Sequence, residues 1–198
     1  MPAFILASKS QSRCDMLVRV GVPFTVDASE VDEDAIKARC LKEKKSVEEA
    51  VLELALAKAA AVGARHPGAL ILGADQILEC ENCWFDKAKT VAAAKEQLRF
   101  FSGKTHRLIT AAVLLRKGKN VWQNISITRL SVRALSDDFI NDYCACLGPG
   151  LLRSVGCYQF EGPGAQLFEK AEGDFFSILG LPLLPLLEVL RREGVLKR

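Results

Sequence analysis

The sequence predicts a mixed sheet flanked by helices, in an α/β or α+β arrangement, in a single domain spanning all 198 residues. Three observations predict it. The run Ala69-Leu70-Ile71-Leu72-Gly73-Ala74 is apolar throughout, as a strand buried on both faces must be. Ahead of it, Val47 to Ala64 is rich in Ala, Leu, Glu and Lys, a strong helix that stops near Gly63 before His66-Pro67-Gly68. Further on, Arg107 to Leu115 and Val121 to Arg129 read as two strands joined by Lys117-Gly118-Lys119-Asn120, an antiparallel hairpin. Strands and helices alternating on short loops build this layered class.

The remaining elements follow in order. Residues 3–7 form a short apolar strand, and after a polar turn Arg13 to Val20 carries apolar residues at helical spacing. The acidic run Ser29-Glu30-Val31-Asp32-Glu33-Asp34 reads as a solvated loop. Val91 to Phe101 is a helix. Ser136 caps another through Leu147, which Gly148-Pro149-Gly150 stops, and Pro182 to Arg192 is the last.

Composition narrows the function classes. With 49% hydrophobic and 26% charged residues the chain can bury a continuous core. A formal charge of +3 is too weak a field to make nucleic acid or an anionic membrane the main partner, so any anion site is local. The longest apolar run, Ile178 to Leu190, contains Pro182, Pro185 and Glu188 and is too short to span a bilayer. No basic region precedes the first apolar stretch, so the expected location is the cytoplasm. Seven cysteines, an odd number, point to reduced thiols. Cys80-x-x-Cys83 lacks a matching second pair, because Cys144-x-Cys146 has the wrong spacing for zinc.

Familiar phosphate motifs fail. Ser102-Gly103-Lys104-Thr105 mimics the end of a P-loop, but Leu98 stands where the first glycine is needed. No Gly-x-Ser-x-Gly elbow is present. What remains is a set of polar residues where a core sequence would not put them. The loop Ser8-Lys9-Ser10-Gln11-Ser12-Arg13, between a buried strand and a helix start, offers hydroxyls, helix-terminal amides and an arginine to phosphate oxygens. Ser10 is equally suited to cap the helix, and the two roles are compatible. Asp75 directly follows six apolar residues, at the expected carboxyl edge of a central strand, where ligands bind in open sheets. A carboxylate there needs a metal, water or lysine partner. Glu30, Asp32 and Glu33 are further oxygen donors for the same ion. Lys58 and Lys87, each taken alone, read as surface lysines.

In order along nearly the whole chain, Ile5-Leu6-Ala7-Ser8-Lys9-Ser10-Gln11-Ser12-Arg13, Val31-Asp32-Glu33, Leu56-Ala57-Lys58-Ala59, Gly73-Ala74-Asp75-Gln76, Asp86-Lys87, Ser102-Gly103-Lys104-Thr105-His106, Gly156-Cys157-Tyr158, Glu161-Gly162 and Gly180-Leu181-Pro182 resemble the blocks of the Maf family. The resemblance implies a fold like that of the inosine triphosphate pyrophosphatases: an elongated mixed sheet, a cleft between two lobes, commonly a homodimer. It implies hydrolysis of a nucleoside triphosphate to the monophosphate and pyrophosphate, with a divalent cation (Mg, Mn or Co). The family's catalytic aspartate, its proton acceptor, falls on Asp75; its phosphate-binding residues on Ser8, Ser10 and Arg13; its metal-side glutamate on Glu33; its lysines on Lys58 and Lys87.

The base-reading positions fall on Ser12, Gln76 and Glu161. Gln76 and Glu161 match the subgroup resembling 7-methyl-GTP pyrophosphatases, whereas Ser12 matches neither that subgroup nor the one for pyrimidine triphosphates. A carboxylate at Glu161 accepts from the N1 and N2 donors of guanine and gains from the positive charge of a 7-methylated ring. Two alternatives come with the same resemblance: a dTTP/UTP pyrophosphatase, and a nucleotide-sensing regulator of septum formation without turnover.

Overall fold

The computed structural model describes residues 3–197. In chain order the elements are β1 (Phe4–Leu6), α1 (Gln11–Arg19), β2 (Thr25–Val26), α2 (Glu33–Lys42), α3 (Val47–Gly63), β3 (Leu70–Cys80), β4 (Cys83–Phe85), α4 (Val91–Phe101), β5 (Thr105–Arg116), β6 (Lys119–Val132), α5 (Asp137–Leu147), β7 (Phe168–Glu172), α6 (Phe175–Ile178) and α7 (Leu183–Arg192). Short 3₁₀ turns fill Gly148–Arg153, Val155–Cys157 and Pro163–Leu167. Among the described residues seven strands form one mixed sheet in the order β2-β1-β3-β5-β6-β7, with β4 paired to β3. The expected α/β class with helices flanking a mixed sheet is what the chain adopts.

Two compact units divide the chain. One takes the segments through Asp75, Thr110–Ser126 and Gly180 onward; the other takes Gln76–Ile109 and Ile127–Leu179.

In the first unit, β1 runs parallel to both β2 and β3, with Phe4, Ile5 and Leu6 opposite Leu70, Ile71 and Leu72. Helix α3 begins on a capping box, Ser46 accepting from the Glu49 amide while the Glu49 carboxylate accepts from the Ser46 amide. Its buried positions are Val47, Ala50, Val51, Leu54, Ala55, Lys58, Ala59 and Val62, a stripe at helical period. Small residues on that stripe let the helix lie close on β3. A Cβ built on Gly73 would stand 2.2 Å from the Ala55 carbonyl oxygen and 2.7 Å from the Ala59 Cβ, so only glycine fits there. The hairpin between β5 and β6 turns on Lys117 and Gly118, both at positive φ (51° and 72°), as two-residue turns matching strand twist require.

The second unit packs around aromatic rings. Phe101, Tyr158 and Phe168 surround His106, with ring centroids 5.3, 5.7 and 5.9 Å from the imidazole. His106 Nε2 shares a 2.8 Å hydrogen bond with the Tyr158 hydroxyl, and Nδ1 is buried with no hydrogen-bond partner among the described residues. Burial pushes the imidazole down to a pKa of about 4. The folded protein therefore binds this proton more weakly than the unfolded chain, so stability is full above the ordinary histidine value and is lost as pH falls toward 4. We expect about 2 kcal/mol of unfolding free energy to disappear between pH 7 and pH 5, and His106→Phe to lose most of that dependence. Urea midpoints at the two pH values measure it.

Several expectations need correction. The first strand and helix shift slightly, α1 starting two residues before Arg13. Asp75 is not at a strand end: β3 continues to Cys80 because Ile77, Leu78 and Cys80 are buried again after it, and it turns through Glu81 and Asn82, both at positive φ, into β4. The acidic run is not all loop. Asp32 caps α2, accepting from the Ala35 amide at 2.9 Å, and Glu33 and Asp34 sit in its first turn, where the helix dipole favours carboxylates. Ser10 occupies the N-cap position of α1, yet its side chain makes no capping hydrogen bond. All seven cysteines are free thiols, and Cys80 faces Cys83 across the β3–β4 hairpin. No helix among the described residues is long and apolar enough to cross a membrane.

Candidate active site

The site is assembled in the first unit by strand register and helix period. Leu6 lies opposite Leu72, and the Ala7 amide donates to the Leu72 carbonyl at 2.8 Å. Two residues further on, Ser8 therefore leaves β1 beside the stretch of β3 that carries Asp75. Alternation along β3 puts Ile71, Gly73 and Asp75 on one face, the face on which α3 lies. Lys58, adjacent to the Ala59 that Gly73 contacts, consequently points at Asp75.

The ionic centre is compact. Lys58 Nζ stands 2.8 Å from Glu33 Oε1 and 3.2 Å from Asp75 Oδ2. Lys58 and Asp75 are buried and Glu33 is half-buried. Burying one lysine against two carboxylates is tolerable only because the charges compensate; removing one partner of such a group leaves an uncompensated charge.

Beside it stands the buried Arg13, whose side chain is fixed at two points. Its Nε donates to the Gly180 carbonyl at 2.9 Å and Nη1 donates to Ser8 Oγ at 3.0 Å. Gly180 has φ +106°, a conformation that suits glycine, and a Cβ there would press on the Arg13 Nε at 3.2 Å. The Ser10 amide also donates to Ser8 Oγ at 3.2 Å. Burial lowers the Arg13 guanidinium from its ordinary value, while the negative charges of Asp75 and Glu33 work in the opposite direction. The two acids and the arginine thus share one electrostatic environment. Two cations and two carboxylates cancel, so a polyanion entering this site needs further positive charge.

Among the described residues no group of three or more His, Cys, Asp and Glu side chains is arranged to hold a metal. The donor set is the carboxylate pair Glu33 and Asp75. Hard oxygen donors, one or two from protein with the rest from phosphate and water, are the usual environment of Mg²⁺. The ammonium already between them shows that the space accepts a cation, so the residues fit.

The structure therefore brings together Ser8, Arg13, Glu33, Lys58 and Asp75, with Ser10 joined through its backbone. Ser12 is half-buried in the first turn of α1. The other predicted residues belong to the second unit. Gln76 donates its amide nitrogen to the Ser177 and Ile178 carbonyls at 2.9 and 3.2 Å, holding the end of α6. Lys87 is exposed in the loop after β4, and Glu161 is exposed in a turn before the last 3₁₀ segment.

Lys58 is not a surface lysine. It occupies a core position of the stripe Val51, Leu54, Ala55, Lys58, Ala59, Val62, and that violation of periodicity is the signal that single-residue reasoning missed. Arg13 carries the same signal with Met16 and Leu17 in α1. The Gly180 carbonyl was not among the expected site groups; its glycine had no visible role before the fold placed it against Arg13.

Comparison with known proteins identifies the family. A nucleoside triphosphate pyrophosphatase of Paramagnetospirillum magneticum is 46% identical over 97% of this chain and 99% of its own length. A 7-methyl-GTP pyrophosphatase of Brucella suis biovar 1 is 46% identical over 96% of this chain and 95% of its own. A nucleoside triphosphate pyrophosphatase of Maricaulis maris is 44% identical over the full length of both chains. The family of Maf-like proteins matches residues 3–193, nearly everything described here, and the chain belongs to that family.

Proposed function

We propose that this protein hydrolyses nucleoside triphosphates between the α and β phosphates, releasing the monophosphate and pyrophosphate. The single observation that carries the reading is the Glu33–Lys58–Asp75 group, with Lys58 and Asp75 buried, beside the Ser8–Arg13 pair. It combines a carboxylate able to take a proton with cations able to stabilise phosphate charge, in a protein whose relatives are named for this reaction.

In this reading Asp75 accepts a proton from water as the water oxygen bonds to the α-phosphorus. The bond from that phosphorus to the bridging oxygen breaks, and pyrophosphate leaves. Arg13 and Lys58 stabilise the charge on the transferred and leaving groups, with Lys87 assigned the same work by the family resemblance. Ser8 and Ser10 bind phosphate oxygens. Glu33 and Asp75 would hold a divalent cation, Mg²⁺, Mn²⁺ or Co²⁺, which supplies charge neutralisation of the phosphates when bound. The homodimer, the cytoplasmic location and the two lobes around a cleft implied by the resemblance belong to the same proposal.

Gln76 and Glu161 direct the base preference toward 7-methyl-GTP. A uracil or thymine presents one donor between two acceptors and is repelled by a carboxylate, while a guanine presents two donors. The test is product analysis over 7-methyl-GTP, GTP, dTTP, UTP and CTP. Monophosphate and pyrophosphate are expected, fastest from 7-methyl-GTP, and Glu161→Gln should cut the preference for 7-methyl-GTP over UTP by about tenfold, the size of one lost charge-assisted contact. Release of the nucleoside diphosphate and inorganic phosphate, or no turnover of any nucleotide, would overturn the reading.

A further inference from the structure

In the proposed reaction Glu33 and Asp75 would hold a divalent cation, yet in the folded chain these carboxylates already share a cation. Lys58 Nζ lies within ion-pair distance of both carboxylates, 2.8 Å from one and 3.2 Å from the other. Resting on that reading of the site, we propose that Lys58 is a built-in stand-in for the metal, displaced when the metal enters and then free to meet substrate phosphate.

The argument is electrostatic and steric. A buried Asp75 carboxylate facing the half-buried Glu33 carboxylate is repelled by it and loses hydration unless a positive charge joins them. Before ligands arrive the lysine supplies that charge and keeps the pair ordered. A divalent cation held by the same oxygens would need the volume that Nζ fills, and two positive centres that close beside the buried Asp75 repel each other. One of them must leave. Lysine can, because its ammonium is a point charge on a flexible four-carbon stem, whereas Arg13 is held at both Nε and Nη1.

The displaced ammonium needs a new anionic partner, which a triphosphate supplies. Metal and nucleotide then favour each other by thermodynamic reciprocity, each relieving a cost the other would meet alone. In the absence of nucleotide the metal competes with an internal cation, so its affinity is low by construction. The arrangement keeps the carboxylate pair neutralised without metal and ties full assembly of the charged site to the presence of the polyphosphate.

The test is Mn²⁺ binding without nucleotide, followed by the paramagnetic signal of free Mn²⁺ during titration. Lys58→Met removes the charge and keeps most of the volume, and it should bind Mn²⁺ more tightly than the native protein by about tenfold or more, as expected when a close competing charge is removed. Lys58→Arg, which keeps the positive charge, should stay as weak as the native protein. In thermal unfolding, saturating Mn²⁺ should raise the midpoint of Lys58→Met more than that of the native chain. Equal or weaker Mn²⁺ binding by a folded Lys58→Met would overturn the proposal. If Lys58→Met does not fold, the native protein decides: on saturation with Mg²⁺ the Lys58 side-chain resonance should shift, and an unmoved resonance with Mg²⁺ bound rejects the exchange. None of these readouts involves turnover. Failure of the hydrolytic reading would appear in the product assay on native protein, and failure of the exchange would appear only in the metal titrations.

Discussion

Asp75→Asn should abolish most turnover while leaving the fold and nucleotide binding in place. The substitution keeps the shape of the side chain and removes its capacity to take a proton from water. General-base catalysis is worth about 10²–10⁴-fold, and the loss should fall in that range in kcat. Lys58 keeps its 2.8 Å contact with Glu33, so the ammonium retains one carboxylate, although the group gains one uncompensated positive charge that an entering triphosphate can meet. Calorimetric titration with a triphosphate should still show binding, and pyrophosphate release should be the quantity that collapses. A protein that works only by sensing nucleotide would behave differently: it would have no turnover to lose. If Asp75→Asn retains activity within a few-fold of native, the proton acceptor is some other group and the mechanism above is wrong.

Gly73→Ala is the second large effect, and it acts through packing alone. The new methyl would lie 2.2 Å from the Ala55 carbonyl oxygen, 2.7 Å from the Ala59 Cβ and 2.9 Å from the Ala59 amide nitrogen. None of these is the flexible tip of a side chain, so α3 must back away from β3. Overpacking of this kind costs about 1–3 kcal/mol, and contact with main-chain atoms puts the expectation at the upper end. For a chain of this size that corresponds to a fall in thermal midpoint of about 5–10 °C. Lys58 sits on the part of α3 that must move, so its contacts with Asp75 and Glu33 loosen. Turnover should drop with stability, although the added methyl touches no charged group. An unchanged midpoint and unchanged kcat would show that the helix contact does not position the lysine.

How much of this was legible in the residues differs from element to element. The strand around Leu70 and the helix around Leu54 announce themselves because each buries a face at its own period, and burial is written locally. Strand β2, two exposed residues paired to β1, and β4, three residues closing a hairpin, carry no such pattern; they exist because a neighbouring strand offers hydrogen bonds. The start of α2 was hidden because Asp32, Glu33 and Asp34 look like a solvated run until Asp32 is seen capping the helix. Of the site residues, Ser8 and Asp75 were suggested by their position after apolar runs. Lys58 was not, because a lysine in a helix is ordinarily at the surface.

By itself the sequence determined the class of fold, through apolar periodicity, and the family, through ordered blocks from Ile5 to Pro182 whose agreement no single motif could carry. Only the tertiary structure decided which charges meet. Glu33, Lys58 and Asp75 come from a helix's first turn, a helix stripe and a strand interior, and they meet because Gly73 lets α3 lie against β3 while parallel register sets the Ser8 loop alongside. Distances of that kind depend on non-local packing, in which each element's place is set by its neighbours, and no local pattern encodes them.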